Sequence, residues 1–279
     1  MDPLIASALA EAAAHRTTSQ AASQEAHWEL IGVGVGPGDP ELLTLKAARE
    51  LREADLVFAP TTALDKPSRA AHIVHEAVGI EAKPLVFALD DTGGLTEART
   101  AAWDEAGRVV ADAFHGGARR VAFATLGDPN LYSTFTYLGH TVTAAEPGIR
   151  IRTVPGITAM QDLAARAGVP LAEGRESLTL VPVAGSEADR SLDAMEAALA
   201  GTGTVVVYKG GRHLAALVSA VERAGRTEHA VLGTDLGLPG EAISRLADRV
   251  AAAETSPARA PYFTTLIAPP ARGQRGGAL

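Results

Sequence analysis

The chain has 279 residues, of which 47% are hydrophobic, 21% charged and only 4% aromatic, and its formal net charge is -8. That balance excludes a disordered class, and an acidic chain without a long Lys/Arg run argues against a nucleic-acid partner held through phosphates. Cysteine is absent, which rules out disulfides and thiolate chemistry, and no apolar stretch reaches the roughly 18 residues that span a bilayer. The N-terminus lacks the basic flank and apolar core of a signal peptide, so the expected location is cytoplasmic, away from membranes.

Residues 1–26, rich in Ala, Ser, Gln and Glu, read as an extension outside the folded core. The apolar run 28–35 breaks into glycines, as a buried strand entering a loop does. Pro40 and Glu41 are expected to open a helix that runs to about Arg52, with Leu42, Leu45 and Ala48 at helical spacing and Asp39 as its N-cap. Residues 56–59 read as a strand, a helix follows Ser68, a strand covers 84–89, and a long helix over 97–114 leads into a strand at 121–125.

A helix is expected over 131–145, and Glu146-Pro147-Gly148 breaks it before a strand at 151–154, where the domain boundary is placed. Strands at 178–182, 205–208, 230–234 and 262–267 then alternate with helices. Two of those helices carry apolar core stripes, Leu192, Met195, Ala198 and Leu199 in one and Leu214, Leu217, Val218 and Val221 in the other. Residues 271–279 read as a frayed tail. The expectation is an α/β chain of two α/β domains, 27–146 and 147–270, whose small aliphatic residues suit helices laid on parallel sheets.

Gly32-Val33-Gly34-Val35-Gly36-Pro37-Gly38-Asp39 lies between the first strand and helix, where α/β folds expose backbone amides to a ligand. A dinucleotide fingerprint needs glycines at offsets of two and then three. Counting from Gly32 the third position is Pro37, and from Gly34 it is Asp39. Asp55 also precedes the second strand rather than ending it, which further disfavours a nicotinamide site. A P-loop is disfavoured because Lys46 sits within the helix and no hydroxyl residue follows it. Asp39 would repel a pyrophosphate, so the loop suits a neutral or cationic guest, although glycines alone also serve a plain tight turn.

A second strand end occurs at Leu126-Gly127-Asp128-Pro129, followed by Asn130-Leu131-Tyr132-Ser133-Thr134. Gly127 supplies an unusual backbone angle, Pro129 fixes its own, and Asp128 offers acceptors. Alone this is a common turn. Taken with Val154-Pro155-Gly156-Ile157-Thr158-Ala159, with Leu43-Thr44-Leu45-Lys46-Ala47-Ala48 and with Glu53-Ala54-Asp55, it makes residues 28–270 resemble the tetrapyrrole methylase family. The continuation Leu131-Tyr132-Ser133-Thr134 is similar to the branch that methylates precorrin-2 at C20.

The resemblance implies homodimers of two α/β domains that hold S-adenosyl-L-methionine in the inter-domain cleft, release S-adenosyl-L-homocysteine and convert precorrin-2 to precorrin-3A in cobalamin biosynthesis. Carried over to matching positions, the cofactor contacts are Pro37, Leu126, Gly127, Asp128, Leu131, Thr158 and Ala159. Lys209, where some relatives have methionine, and Thr265 in the final strand are added to them. Open alternatives are a sibling methylase acting on cobalt-precorrin-2, another precorrin or uroporphyrinogen III, and a non-catalytic S-adenosylmethionine- or tetrapyrrole-binding protein.

Methyl transfer from a sulfonium needs alignment and exclusion of water, and no protein nucleophile. No catalytic residue is therefore assigned, with Asp39 and Tyr132 as proton-acceptor candidates. Arg69, His72, Lys209, Arg212 and His213 are candidate partners for the carboxylates of such a substrate. His72 and His75 stand three apart without a third ligand, so no metal is expected.

Overall fold

A computed structural model describes residues 27–88, 94–251 and 260–272. Residues 1–26, residue 89 of the expected third strand and 273–279 of the tail lie outside them. Apart from a short stretch at Gly94, the chain divides after Thr158 into two compact units.

Unit 1 contains β1 (Glu29–Gly34), α1 (Leu45–Glu53), β2 (Leu56–Thr61), α2 (Arg69–Val78), β3 (Lys83–Val86), α3 (Glu97–His115), β4 (Arg120–Thr125), α4 (Phe135–Ala145) and β5 (Arg150–Val154). Its sheet runs β3-β2-β4-β1-β5 with every pairing parallel. Leu30 and Phe123 face Phe114 of α3 and Leu138 of α4 in one core, while Ile31 and Ala122 face Leu51 of α1 and Ile73 of α2 in the other. Burial on both faces explains the near-continuous apolar runs of β1 and β4.

Unit 2 contains α5 (Ala159–Ala167), β6 (Leu178–Pro182), α6 (Ala188–Leu199), β7 (Thr204–Tyr208), α7 (Leu214–Arg223), β8 (Val231–Thr234), β9 (Ala242–Arg245), α8 (Leu246–Ala251) and β10 (Thr264–Ala268). Its order is β6-β7-β10-β8-β9, with only β6 and β7 parallel. The all-parallel expectation therefore fails here, because a short connection after β8 turns the chain back into β9, a strand that the sequence pattern did not reveal. Met195 and Leu199 of α6 and Leu214, Leu217 and Val221 of α7 pack in one core, with Leu192, Ala198 and Val218 partly buried against it. Leu163 of α5 packs on the opposite face against Val206, Val231 and Ile267.

Four expectations shift. The first domain does not close at 146, because β5 pairs with β1 from Glu29↔Arg150 onward and carries unit 1 to Thr158. The helix expected from Pro40 is a 3-10 turn at Pro40–Leu42, capped by Asp39, and α1 starts only after Thr44, whose Oγ accepts from Ala47 N–H at 3.1 Å. Leu45 is consequently 92% exposed, and the buried side of α1 is Ala47, Glu50 and Leu51. Arg272, in the described part of the expected tail, is held in place, its guanidinium donating to Glu176 at 2.6 Å.

The amino ends of β1, β4 and β5 are tied by an ion network. Arg152 donates to Glu29 at 3.0 Å and to Glu50 at 2.7 Å, and Arg120 donates to Glu50 at 2.7 Å and to Glu53 at 2.8 Å. The Arg152 hydrogen bonds hold both Glu29 and Glu50 below the usual carboxylate range, against the opposing pull of burial. The carboxyl ends of the same strands are left for other uses. Among the described residues no helix is long and apolar enough to cross a membrane.

Candidate functional site

In unit 1 the chain leaves β1 towards α1 on one face of the sheet and leaves β4 towards α4 on the other. Because β1 and β4 are neighbours, their carboxyl ends form the kind of switch point at which open α/β sheets bind ligands. Gly36 and Gly127 form an isolated bridge there, with Gly127 N–H donating to Gly36 O at 2.8 Å. The loop after β5 joins them, since a Cβ placed on Gly34 would lie 2.6 Å from both Gly127 O and Gly156 N. Main chain thus packs on main chain across three strand ends, and no side chain larger than hydrogen fits between them. Gly32 has a different task, because its missing side chain makes room for the Phe135 ring, 2.5 Å from an added Cβ.

Asp128 locks this arrangement. Its Oδ1 accepts from Asn130 N–H at 2.8 Å and its Oδ2 from Gly156 N–H at 3.0 Å, which ties the loop after β4 to the loop after β5. The carboxylate expected to face a ligand is therefore also a fastener between loops. Asn130 adds a side-chain bond to Thr153 at 3.2 Å. Gly127, at φ 65, would meet Thr158 Cα at 3.9 Å and Ile157 O at 4.0 Å if it carried a Cβ, so the space beside it is open enough to be a cradle. Pro37, Leu126 and Leu131 are half-buried around the same strand ends.

Residues 131–134 do not continue into a helix as expected. Tyr132 has φ 51, and Ser133 Oγ lies 3.0 Å from Thr125 Oγ1 and accepts from Phe135 N–H at 3.1 Å, so α4 starts at Phe135. Tyr132 is 42% exposed, and desolvation raises its phenol above the ordinary value. It therefore stays protonated at neutral pH and suits hydrogen-bond donation better than proton removal. Asp39 spends one carboxylate oxygen on Glu41 N–H at 2.9 Å, so its observed role is the cap.

In unit 2, Ala159 opens α5, and Met160 N–H donates to Tyr208 Oη at 3.0 Å, which fixes that helix end to the end of β7. Thr265 is buried and pairs in register with Tyr208. Lys209 follows at φ 64 and donates its N–H to Thr264 O at 3.1 Å. Ala159, Lys209 and Thr265 are thus gathered around Tyr208, while Thr158, buried, ends unit 1 beside Gly127.

The remaining candidates fall on α2 and on the turn after β7. Arg69 opens α2, His72 is exposed on it, and His75 pairs with Glu81 at 2.7 Å. Arg212 and His213 lie in the 3-10 turn Gly210–His213 after Lys209. Sequence reading passed over Tyr208 and the close approach of Gly156. Pro155-Gly156 enters the sequence reading only as part of the motif 154–159, and a distant amide partner for Tyr208 has no local signal.

The loops at 34–39, 126–131 and 155–158 contain no Lys or Arg, so the cradle suits a ligand without phosphates. The fold is that of solved methyltransferases. A cobalt precorrin-4 methyltransferase superposes with a TM-score of 0.67 at 21% identity, covering 90% of this chain and 98% of that one. A Thermus thermophilus uroporphyrin-III C-methyltransferase, complexed with S-adenosylhomocysteine, superposes at 0.54 with 22% identity over 86% and 96% of the two chains.

The family model of the tetrapyrrole (corrin/porphyrin) methylases matches residues 29–248, and the chain belongs to this family of S-adenosylmethionine-using methyltransferases. It is 30% identical over 241 residues to the cobalt-precorrin-2 C(20)-methyltransferase of Salmonella typhimurium, covering 86% of this chain and 95% of that protein. It is 29% identical over 246 residues to the precorrin-2 C(20)-methyltransferase of a Sinorhizobium species, covering 86% and 94%.

Proposed function

We propose that the chain transfers a methyl group from S-adenosyl-L-methionine to C20 of precorrin-2, giving precorrin-3A in cobalamin biosynthesis. The observation that carries the proposal is the convergence of the three family motifs on one cradle at Gly34, Gly127 and Gly156. Relatives named for this reaction, similar along nearly their whole length, direct the reading to C20. Because one of them is named for the cobalt complex, cobalt-precorrin-2 is the second substrate to test.

The bound donor supplies a methyl group on a positively charged sulfur that leaves as a neutral thioether. The chain's task is to bind and align. Gly127 and the half-buried Pro37, Leu126 and Leu131 enclose the donor against main chain in unit 1, and Asp128 keeps the loops in register. Thr158, Ala159 and Thr265 are the further donor contacts in this reading, and Tyr132, which follows Leu131 and is 42% exposed, is the hydrogen-bond donor to the acceptor. The same reading makes the protein a homodimer, which sedimentation tests directly, and places it in the cytoplasm.

Calorimetry with S-adenosylhomocysteine should give one site per chain. Incubation with metal-free and cobalt-loaded precorrin-2 should give a product heavier by one methylene, placed at C20 by NMR. Well-folded protein that binds neither S-adenosylmethionine nor S-adenosylhomocysteine would sink the proposal.

A further inference from the structure

Unit 2 carries a cationic and aromatic rim that alignment of a methyl donor leaves without a role. Lys209 occupies the left-handed region at φ 64, immediately before Gly210 and Gly211. Glycine takes that conformation without strain, whereas a side chain clashes with its own backbone. A lysine kept in such a position points to a use for its side chain.

The Lys209 ammonium lies 5.8 Å from the centre of the Tyr262 ring. Tyr262 in turn meets Phe263 edge to face, with ring centres 5.3 Å apart. Each of these two rings is 42% exposed, a large aromatic surface for adjacent residues at the entry to a buried strand. The rim is nevertheless firmly built. Ala260 N–H donates to Gly211 O at 2.7 Å, Lys209 N–H to Thr264 O at 3.1 Å, and Asp235 N–H to Phe263 O at 3.1 Å. Gly211 packs so closely on 260–261 that an added Cβ would lie 2.5 Å from Ala260 O. The ammonium and both rings are therefore presented by one stitched piece of backbone, and Arg212 adds an exposed cation in the same turn.

Electrostatics select the occupant. S-adenosylmethionine offers a single carboxylate beside a sulfonium and an ammonium and is net cationic, so a lysine ammonium gains less from it than from a molecule with several carboxylates and no cation. A flat tetrapyrrole with carboxylates around its edge matches both halves of the rim, the rings with its face and the cations with its edge. We propose that Lys209, Tyr262 and Phe263 form a docking face for the tetrapyrrole acceptor, with Lys209 pairing to a peripheral carboxylate. The acceptor's identity rests on the function proposed above, and Lys209 is thereby moved from donor binding to acceptor recognition.

Two probes separate the two readings. S-adenosylhomocysteine is titrated by calorimetry, and uroporphyrin III, a stable planar polycarboxylate, by its absorption change, on wild type, Lys209→Gln, Tyr262→Ala and Tyr262→Phe. Lys209→Gln and Tyr262→Ala are expected to weaken porphyrin binding about tenfold, the step that loss of one charge-assisted or aromatic contact produces. Tyr262→Phe, which keeps the ring, should bind porphyrin as wild type does. The affinity for S-adenosylhomocysteine should stay within about twofold, which also shows that the variants are folded. In turnover, the effect should fall on KM for precorrin-2 rather than on kcat. Unchanged porphyrin affinity in both Lys209→Gln and Tyr262→Ala overturns the proposal, as does a loss that falls equally on S-adenosylhomocysteine. Porphyrin binding that weakens in these variants while wild type binds no S-adenosylhomocysteine upholds the docking face and refutes the methyl-donor reading.

Discussion

Replacing Gly127 with alanine tests whether the cradle holds a ligand or is merely a turn. The backbone at φ 65 accepts alanine at a strain of about 1–2 kcal/mol. No described atom lies closer than 3.9 Å to the added methyl, so packing adds no clash, and the bond from residue 127 N–H to Gly36 O is retained. Set against a typical total stability of ~5–15 kcal/mol, the variant stays folded, with Tm lowered by roughly 2–8 °C. Ligand binding should suffer at least as much. The methyl projects towards the loop at Ile157 and Thr158, into the space assigned to the donor. Forcing a ligand to share that space costs about 1–3 kcal/mol, a loss of about five- to 150-fold in affinity for S-adenosylhomocysteine. Thermal unfolding and calorimetry on the same preparation measure both effects. If Tm falls as stated while the affinity stays within about twofold of wild type, the donor does not lie against Gly127, and the assignment of Leu126, Asp128 and Leu131 falls with it.

At Gly34 the order of effects reverses. A Cβ 2.6 Å from Gly127 O and Gly156 N must push apart backbone that has no alternative position. Gly34→Ala should therefore lose at least about 1–3 kcal/mol of stability, seen as a lower urea midpoint, and an unchanged midpoint would refute the close approach. Asp128→Asn keeps one acceptor and turns an NH2 towards the other amide, so the same measurement should show a loss of about 1–3 kcal/mol, and none if the carboxylate does not fasten the two loops. The Glu29–Glu50–Arg152 network sets an acid limit. Both carboxylates have folded pKa values below their unfolded ones, so their contribution is present above the ordinary carboxylate range and is lost as pH falls through the folded values. In Arg152→Met the main cause of the lowering is gone while Glu50 remains buried, so the variant should be less stable than wild type near neutral pH and should lose less stability as pH falls, the two curves drawing together in acid. Coincident acid profiles of the two proteins would refute that coupling.

The parts of the fold legible in the sequence are those whose burial is two-sided or strictly periodic. β1 and β4 read as apolar runs because both faces are covered, and the stripes of α6 and α7 read as core because one face is. What escaped depends on distant partners. β5, with the mixed sequence Arg150-Ile151-Arg152-Thr153-Val154, looked like the start of a second domain, yet its arginines complete the ion network at the edge of the first sheet. β9 is short and has no fully buried residue, and only its register against β8 defines it. Pro40 at the first position after Asp39 is a sound helix start, but the turn closes after Leu42 and Thr44 begins the helix afresh. At the candidate site, the motif order was legible because glycine, proline and aspartate constrain the local backbone. The hold of Asp128 on Gly156 spans 28 residues, and that of Tyr208 on Met160 spans 48, so neither leaves a local trace.

The two ends of the unit 1 sheet divide the physical tasks between them. At the amino ends, Glu29, Glu50, Arg120 and Arg152 interlock β1, β4, β5 and α1, and those side chains contribute to holding the strands in register. At the carboxyl ends the same strands carry glycines in place of packing side chains and a strained Tyr132. Unit 2 shows the same tendency, since its described non-glycine residues with positive φ, Lys209 and Asp235, follow the ends of β7 and β8. A chain selected for stability alone would place glycine at all three positions, because glycine removes the strain. The side chains kept there are a phenol, an ammonium and a carboxylate, each able to make a directed polar contact. Strain at strand ends, opposed in unit 1 by a bonded network at the opposite end, is the arrangement expected where the fold holds polar groups in place for a ligand rather than for its own core.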